Sequence, residues 1–334
     1  MSARRRERLI MLAILALGIA APWLLASHVA DLAFLWLMVL FALTWDVNGG
    51  QMGYNSFGNV FFFGLGVYAC AVVQRDAGLG YYPGLFVGMG AGGVVALVAA
   101  ALLGPIVLGM RGHYFAIATL GIAVAAGDIF AGWEYVGAGS GMATPVFPGS
   151  VELHNNIFYY VLFVLAIVTF LTVRWLYSRR FGLAINAIRD DEDKAEAMGL
   201  RTTRYKTVAW CVAAVFLGLA GGPVANLIGF IDPRDLAFAG ATYGVWMVLM
   251  PILGGRGTLW GPVIGAVIFH VTQQLFWVYL LGWQRVAMGL LIVLIVVFFP
   301  RGIVGWWQQR QGQRRGDDAS AAPDSGASAR GESA

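Results

Sequence analysis

Along the chain, long apolar runs alternate with short polar segments, and few charges fall inside the runs. A helix that crosses a bilayer needs about 20 mainly apolar residues. By that measure the pattern predicts spans over 9–27, 30–48, 59–74, 84–110, 113–131, 157–177, 207–229, 237–253, 258–281 and 284–300. The third and ninth runs fit partial or full crossings. The expected fold is all-α, a polytopic transmembrane helical bundle of about eight to ten membrane segments.

Charge in the connecting segments predicts orientation, because basic residues are retained on the cytoplasmic side. Arg4, Arg5, Arg6 and Arg8 precede the first run; 132–156 has Glu134 and Glu152 but no Lys or Arg; 174–206 holds eight basic residues; the tail after Pro300 carries Arg301, Arg310, Arg314 and Arg315. With both termini inside, five crossings reach the acidic segment, a sixth reaches the basic one, and four more reach the tail, so parity and charge agree. The arginines and the apolar run over 9–25 also fit a signal peptide. A run of about 17 residues is longer than most signal cores, which favours a retained anchor. Residues 308–334 are too poor in apolar side chains to fold and are expected to form a disordered cytoplasmic tail.

Composition supports the membrane assignment. The chain is 59% hydrophobic and 12% charged over 334 residues, against about 25% charged in soluble domains. Its 45 glycines suit helices that approach closely in lipid. Gly84, Gly88 and Gly92 recur at four-residue spacing, as do Gly257, Gly261 and Gly265. The net charge of +4 sits in loops rather than on a stripe, so nucleic acid is not an expected partner. Cys70 and Cys211 lie in apolar runs and read as small buried hydrophobes.

The chemistry the chain lacks is informative. Lys194 and Lys206 are its lysines, and neither follows a glycine, so there is no P-loop. His28, His113, His154 and His270 are scattered, without HExxH, and there is no GxSxG. No catalytic residue, metal site or cofactor is expected, and uphill transport driven by ATP would need an ATPase on another chain.

Two features point to transport. Gly53-Tyr-Asn-Ser-Phe-Gly58 and Gly254-Gly-Arg-Gly257 each open an apolar helix, one in each half of the chain. Paired glycine-broken helices, full or re-entrant, in an internal repeat mark a solute path, although tight turns would look the same. The second feature is 174–206, with 13 charges. Placing them in lipid would cost about 30 kcal/mol, so the segment lies in the cytoplasm. Asp190 as cap, Asp193 three residues on and Gly199 as stop predict a short helix there, a docking element for a soluble partner or a solvated loop. Polar residues within or ending spans (Asp46, Asn48, Thr119, Asp128 and Gln273) either bond between helices or line a path.

Four blocks resemble the permease subunits of branched-chain amino acid ATP-binding-cassette importers, most closely the LivM type. They are Gly53-Tyr-Asn-Ser-Phe-Gly58 through Tyr68, Arg111-Gly-His-Tyr-Phe-Ala-Ile-Ala-Thr-Leu120, Phe181-Gly-Leu-Ala-Ile-Asn-Ala-Ile-Arg189 through Gly199 to Lys206, and Leu253-Gly-Gly-Arg-Gly-Thr-Leu-Trp-Gly-Pro262. The resemblance implies a transmembrane permease domain over 1–307, with 178–206 as its cytoplasmic coupling loop. Ile188, Arg189, Asp190, Asp191, Glu192, Glu196 and Gly199 would then engage the ATPase. The chain departs from the family's usual residues at Tyr54, Asn55 and Asn59 and near Asp128. Together with Ser56, Thr119, Gly255 and Gly257, these are the candidate path residues. The resemblance further implies ATP-binding-cassette ATPase subunits, a second permease subunit of LivH type in a heterodimer, and a periplasmic solute-binding protein, all at a bacterial inner membrane. Branched-chain or other hydrophobic amino acids are the expected solutes. Urea, amides or another small solute, and ion-coupled secondary transport through Asp128, remain the alternatives.

Overall fold

The computed structural model describes residues 3–280 and scattered positions between 282 and 303. Most of the tenth expected span over 284–300, and all of the expected disordered tail, lie outside the described residues. The elements run α1 (Ala3–Leu24), α2 (Val29–Asp46), α3 (Val60–Asp76), α4 (Tyr81–Val107), α5 (His113–Gly132), α6 (Val151–Tyr177), α7 (Arg180–Asp190), α8 (Glu192–Ala197), α9 (Thr202–Ile228), α10 (Val245–Gly254) and α11 (Gly261–Tyr279).

The chain is a polytopic helical membrane protein. Among the described residues seven stretches are long and apolar enough to cross a membrane: Ala26–Gln51, Tyr81–Val107, His113–Gly132, Val151–Tyr177, Thr202–Ile228, Pro233–Gly254 and Gly261–Tyr279. Two expected spans fall short of that length. The described part of α1 gives the shorter apolar stretch Met11–Leu24, and α3 has 17 residues. The ninth, α11, is by contrast long enough to cross. Outward-facing side chains such as Leu102, Ile106, Ile117 and Ile129 are apolar and mostly exposed, which suits lipid and would be costly in water.

The bundle centre forms where glycines replace side chains. A methyl group on Gly66 or Gly218 would collide with the opposite backbone, and Gly92 packs against the same two residues. The stripe on α4 therefore locks α3, α4 and α9 together through Gly88 and Gly92. Gly84 has ordinary contacts instead. The second stripe closes the α10–α11 hairpin, where Gly261 meets the Gly255 carbonyl and Gly265 meets that of Met250. Dispersion between closely packed backbones, rather than the hydrophobic effect, holds helices together in lipid.

Two elements differ from expectation. The predicted span over 237–253 is a helix only from Val245. Before it come two wide turns, Pro233–Ala237 and Gly240–Gly244. The Asp232 carboxylate caps the first by accepting from the amides of Arg234 and Asp235, and glycines at both ends loosen the second. The charged segment is also two helices rather than one. The chain extends at Asp191 (φ −163°, ψ 105°), whose carboxylate accepts from the Lys194 amide. Asp191 is thus the cap, not Asp190. The stop at Gly199 is as expected: its φ is +85°. Its amide bonds the Glu196 carbonyl at 2.9 Å and the Leu200 amide bonds that of Ala195 at 3.1 Å, the paired closure of a left-handed helix end.

Candidate functional site

Alternating crossings require 46–59, 107–112, 177–202 and 254–260 to share one end of the bundle, and the structure brings them together there. This charged end carries two linked polar clusters.

The first is built around Lys206, at the start of α9. Its side chain is 3% exposed, yet all three ammonium protons have acceptors. They go to the Leu108 carbonyl at 2.7 Å, Glu192 Oε1 at 2.6 Å and the Tyr54 hydroxyl at 3.0 Å. Tyr54 in turn donates to Glu192 Oε2 at 2.5 Å. Arg111 stands at 3.4 Å from Glu192 and 2.8 Å from Asp193, closing the cluster at its exposed rim. Burial pushes the Glu192 carboxyl up, but Lys206, Tyr54 and Arg111 outweigh it and hold the group below the usual carboxylate range. Burial and the neighbouring Glu192 carboxylate keep the Tyr54 phenol far above its usual range, so it remains a donor. Under this cluster the Tyr54 ring stands edge-on to Phe115 at 5.1 Å, and Phe115 meets Trp210 at 6.1 Å.

The second cluster joins the two glycine-broken segments. Asp46, at the end of α2, accepts from the Gly257 amide at 2.8 Å. Gln51 donates to the Gly257 carbonyl at 2.7 Å. Gly257 has φ +74°, and both of its backbone groups are held by side chains more than 200 positions away. Arg189 packs against Gly53 and Gly257 and pairs with Asp190 at 3.0 Å, which ties α7 to this clamp.

The other candidate residues fall as follows. Ser56 is buried; its hydroxyl accepts from the Gly58 amide and its carbonyl from Trp45. Asn59 is buried with both amide atoms unpartnered, whereas Asn55 is exposed. Thr119 donates to the Ala116 carbonyl and accepts from the Phe57 amide. Gly255 is buried between α10 and α11. Asp128 is the outlier. It lies at the opposite end in an exposed pair with Arg234 at 2.9 Å, away from all the others.

On α7 and α8 the expected coupling residues split by direction. Ile188 faces inward with Gly182, Ala184 and Ile185. Glu192 enters the Lys206 cluster, and Glu196 accepts from Thr202 at 3.0 Å. Exposed on the two helices are Asp190, Asp193 and Lys194 and two apolar side chains that sequence reasoning passed over, Leu183 (72% exposed) and Met198 (85% exposed). Exposed apolar residues in so charged a segment were the available signal. Arg111 and Lys206 appeared in the sequence as ends of two of the resembling blocks, without a role of their own.

The architecture is that of a multi-pass transport subunit: a glycine-packed membrane bundle with a two-helix appendage latched to one end. Residues 29–298 match the family described as branched-chain amino acid transport system / permease component, and the chain belongs to that family. It is a permease of LivM type. It is 26% identical to the high-affinity branched-chain amino acid transport system permease protein LivM of Salmonella typhimurium, over 94% of this chain and 80% of that protein. Identity to the Escherichia coli LivM protein is also 26%, over 90% and 75%. The LivH permease of Salmonella typhimurium is 30% identical over 42% of this chain and 46% of its own length. No solved structure matches.

Proposed function

We propose that the chain is one permease half of an ATP-driven importer for branched-chain and other hydrophobic amino acids. In this reading it sits in a bacterial inner membrane with both termini cytoplasmic, beside a second permease of LivH type. A periplasmic protein delivers the solute, and separate ATPase subunits supply the energy. Residues 1–307 form the membrane domain, and α7–α8 within 178–206 form the coupling element.

The observation that carries the proposal is the arrangement of α7–α8. The pair has its own solvent-facing side with Leu183 and Met198 at its surface, while its inner side is fixed to α9, to 52–59 and to the 254–260 turn through Glu192, Tyr54, Lys206 and Arg189. Exposed apolar anchors on a charged segment have the chemistry of a docking patch. Buried bonds on the reverse side would let a displaced partner move the membrane helices as a rigid body. Tyr54 and the glycine segments then act at the inner gate, next to the coupling element. Asp128, in an exposed pair, does not have the buried midplane setting that ion coupling requires.

The test is co-purification and uptake. Leu183→Glu and Met198→Glu should insert normally but lose the co-purifying ATPase and the ATP-dependent uptake of labelled leucine. Retention of both by the two variants would remove the docking role, and uptake that follows the proton gradient at constant ATP would replace the ATP-driven reading.

A further inference from the structure

On the half of the bundle remote from the charged end, α2, the 240–244 turn, α10 and α11 line a half-open cavity of about 350 Å³, within the size range of small-molecule sites. Asp31 stands at its mouth, Tyr243, Trp246 and Trp277 form aromatic walls, and His270 and Gln273 lie inside. Two polar atoms here lack partners: His270 Nδ1, on a residue 7% exposed, and Gln273 Oε1. Leaving such atoms unmet is unfavourable, and is tolerated where a ligand meets them.

We propose that this cavity is a resting site for the transported solute, and that it recognises a primary ammonium joined to a small branched apolar group. The assignment rests on the amino-acid permease reading above. It follows from which groups are present and which are missing. Asp31 is the one formally charged side chain lining the cavity among the described residues. Its carboxylate accepts from Gln274 at 3.0 Å and meets His28 at 3.3 Å, so no Lys or Arg among the described residues neutralises it. Gln273 Oε1 is an acceptor, as is His270 Nδ1 in the tautomer protonated at Nε2. Three acceptors match the three protons of an ammonium. Tyr243 and Trp246, packed edge to face with centroids 5.5 Å apart, supply an aromatic surface that attracts a cation and covers an aliphatic chain. Among the described residues no cation lines the cavity to receive a carboxylate, so that end of an amino acid points out of the mouth and contributes little.

The site therefore discriminates between two halves of leucine. For the full chain in lipid nanodiscs, saturation-transfer NMR should detect leucine and 3-methylbutylamine binding with similar affinity, and no binding of 4-methylpentanoate. Asp31→Asn, at a half-exposed position that folding tolerates, should weaken the amine about tenfold or more, the scale of one charge-assisted hydrogen bond. Gln273→Leu should weaken it severalfold. The proposal is overturned if wild type fails to bind the amine, if 4-methylpentanoate binds equally well, or if Asp31→Asn binds the amine like wild type. Amine binding that depends on Asp31, in a complex that carries no leucine, would retain the site and discard the amino-acid permease reading instead.

Discussion

Removing the Lys206 ammonium tests whether the cluster at the charged end fixes α8 to the bundle. Lys206→Met keeps the length and apolar stem of the side chain and deletes three hydrogen bonds at a position 3% exposed. Breaking one side of a buried ion pair costs about 3–5 kcal/mol. Glu192 would keep the Tyr54 hydroxyl and the Arg111 guanidinium at 3.4 Å, so the expected cost is about 2–3 kcal/mol. That corresponds to an increase of roughly 30- to 150-fold in the population with α8 released. Glu192→Gln should cost at least as much, because it leaves a buried ammonium without a counter-charge. The double variant should cost less than the sum, by about 1–3 kcal/mol. Hydrogen exchange of the 191–199 amides at neutral pH reads the released population directly. Lys194→Met is the control, since Lys194 pairs with Asp191 on the surface. If both single variants exchange within threefold of wild type, or their effects simply add, the cluster does not anchor α8.

Three further outcomes follow. The lowered pKa of Glu192 means that its contribution is complete above the ordinary carboxylate value of 4.5 and is lost only as pH falls through the lower folded value; exchange protection of α8 should hold down to 4.5 and be lost below it, and Tyr54→Phe, lacking one of the bonds that lowers the pKa, should move that loss to higher pH. Gly199→Val places a branched side chain at φ +85°, costs about 1–2 kcal/mol, and should deprotect the Gly199 and Leu200 amides while leaving α9 unchanged. Gly218→Ala puts a methyl group against the Gly92 backbone and Ala96, so thermal unfolding in detergent should show a loss of about 1–3 kcal/mol, whereas Gly90→Ala, facing open space, should not.

Spans were legible because the bilayer imposes a length and a polarity on them that no local detail reverses. The glycine stripe on α4 was legible for a similar reason, since small residues at four-residue spacing leave a helix face that backbones can approach. What stayed hidden depended on three-dimensional neighbours. Tyr54 was assigned to a path and Glu192 to coupling from separate blocks 138 positions apart; nothing local announces that they share a hydrogen bond. The cap shifted from Asp190 to Asp191 because four consecutive acidic residues make the pattern degenerate, and only the extended backbone at Asp191 selects among them. The irregular start of α10 was missed because hydropathy counts apolar residues and ignores the freedom that Gly240 and Gly244 give the backbone.

The two ends of the bundle use charge differently, and the difference bears on mechanism. At the opposite end Asp128–Arg234 and Arg75–Asp76 are exposed, and pairs of that kind contribute little and rearrange easily. At the charged end the Lys206 and Asp46 clusters are buried and join segments from both halves of the chain. Low-dielectric surroundings make such bonds strong and costly to leave half-made, so they break together or not at all. A load on α8 would then pass to the start of α9 and to Tyr54. Through Arg189 beside Gly53 and Gly257, a load on α7 would reach the turn between α10 and α11. The proposed inner gate would respond as one unit, while the loosely paired opposite end could open to a solute without disturbing it.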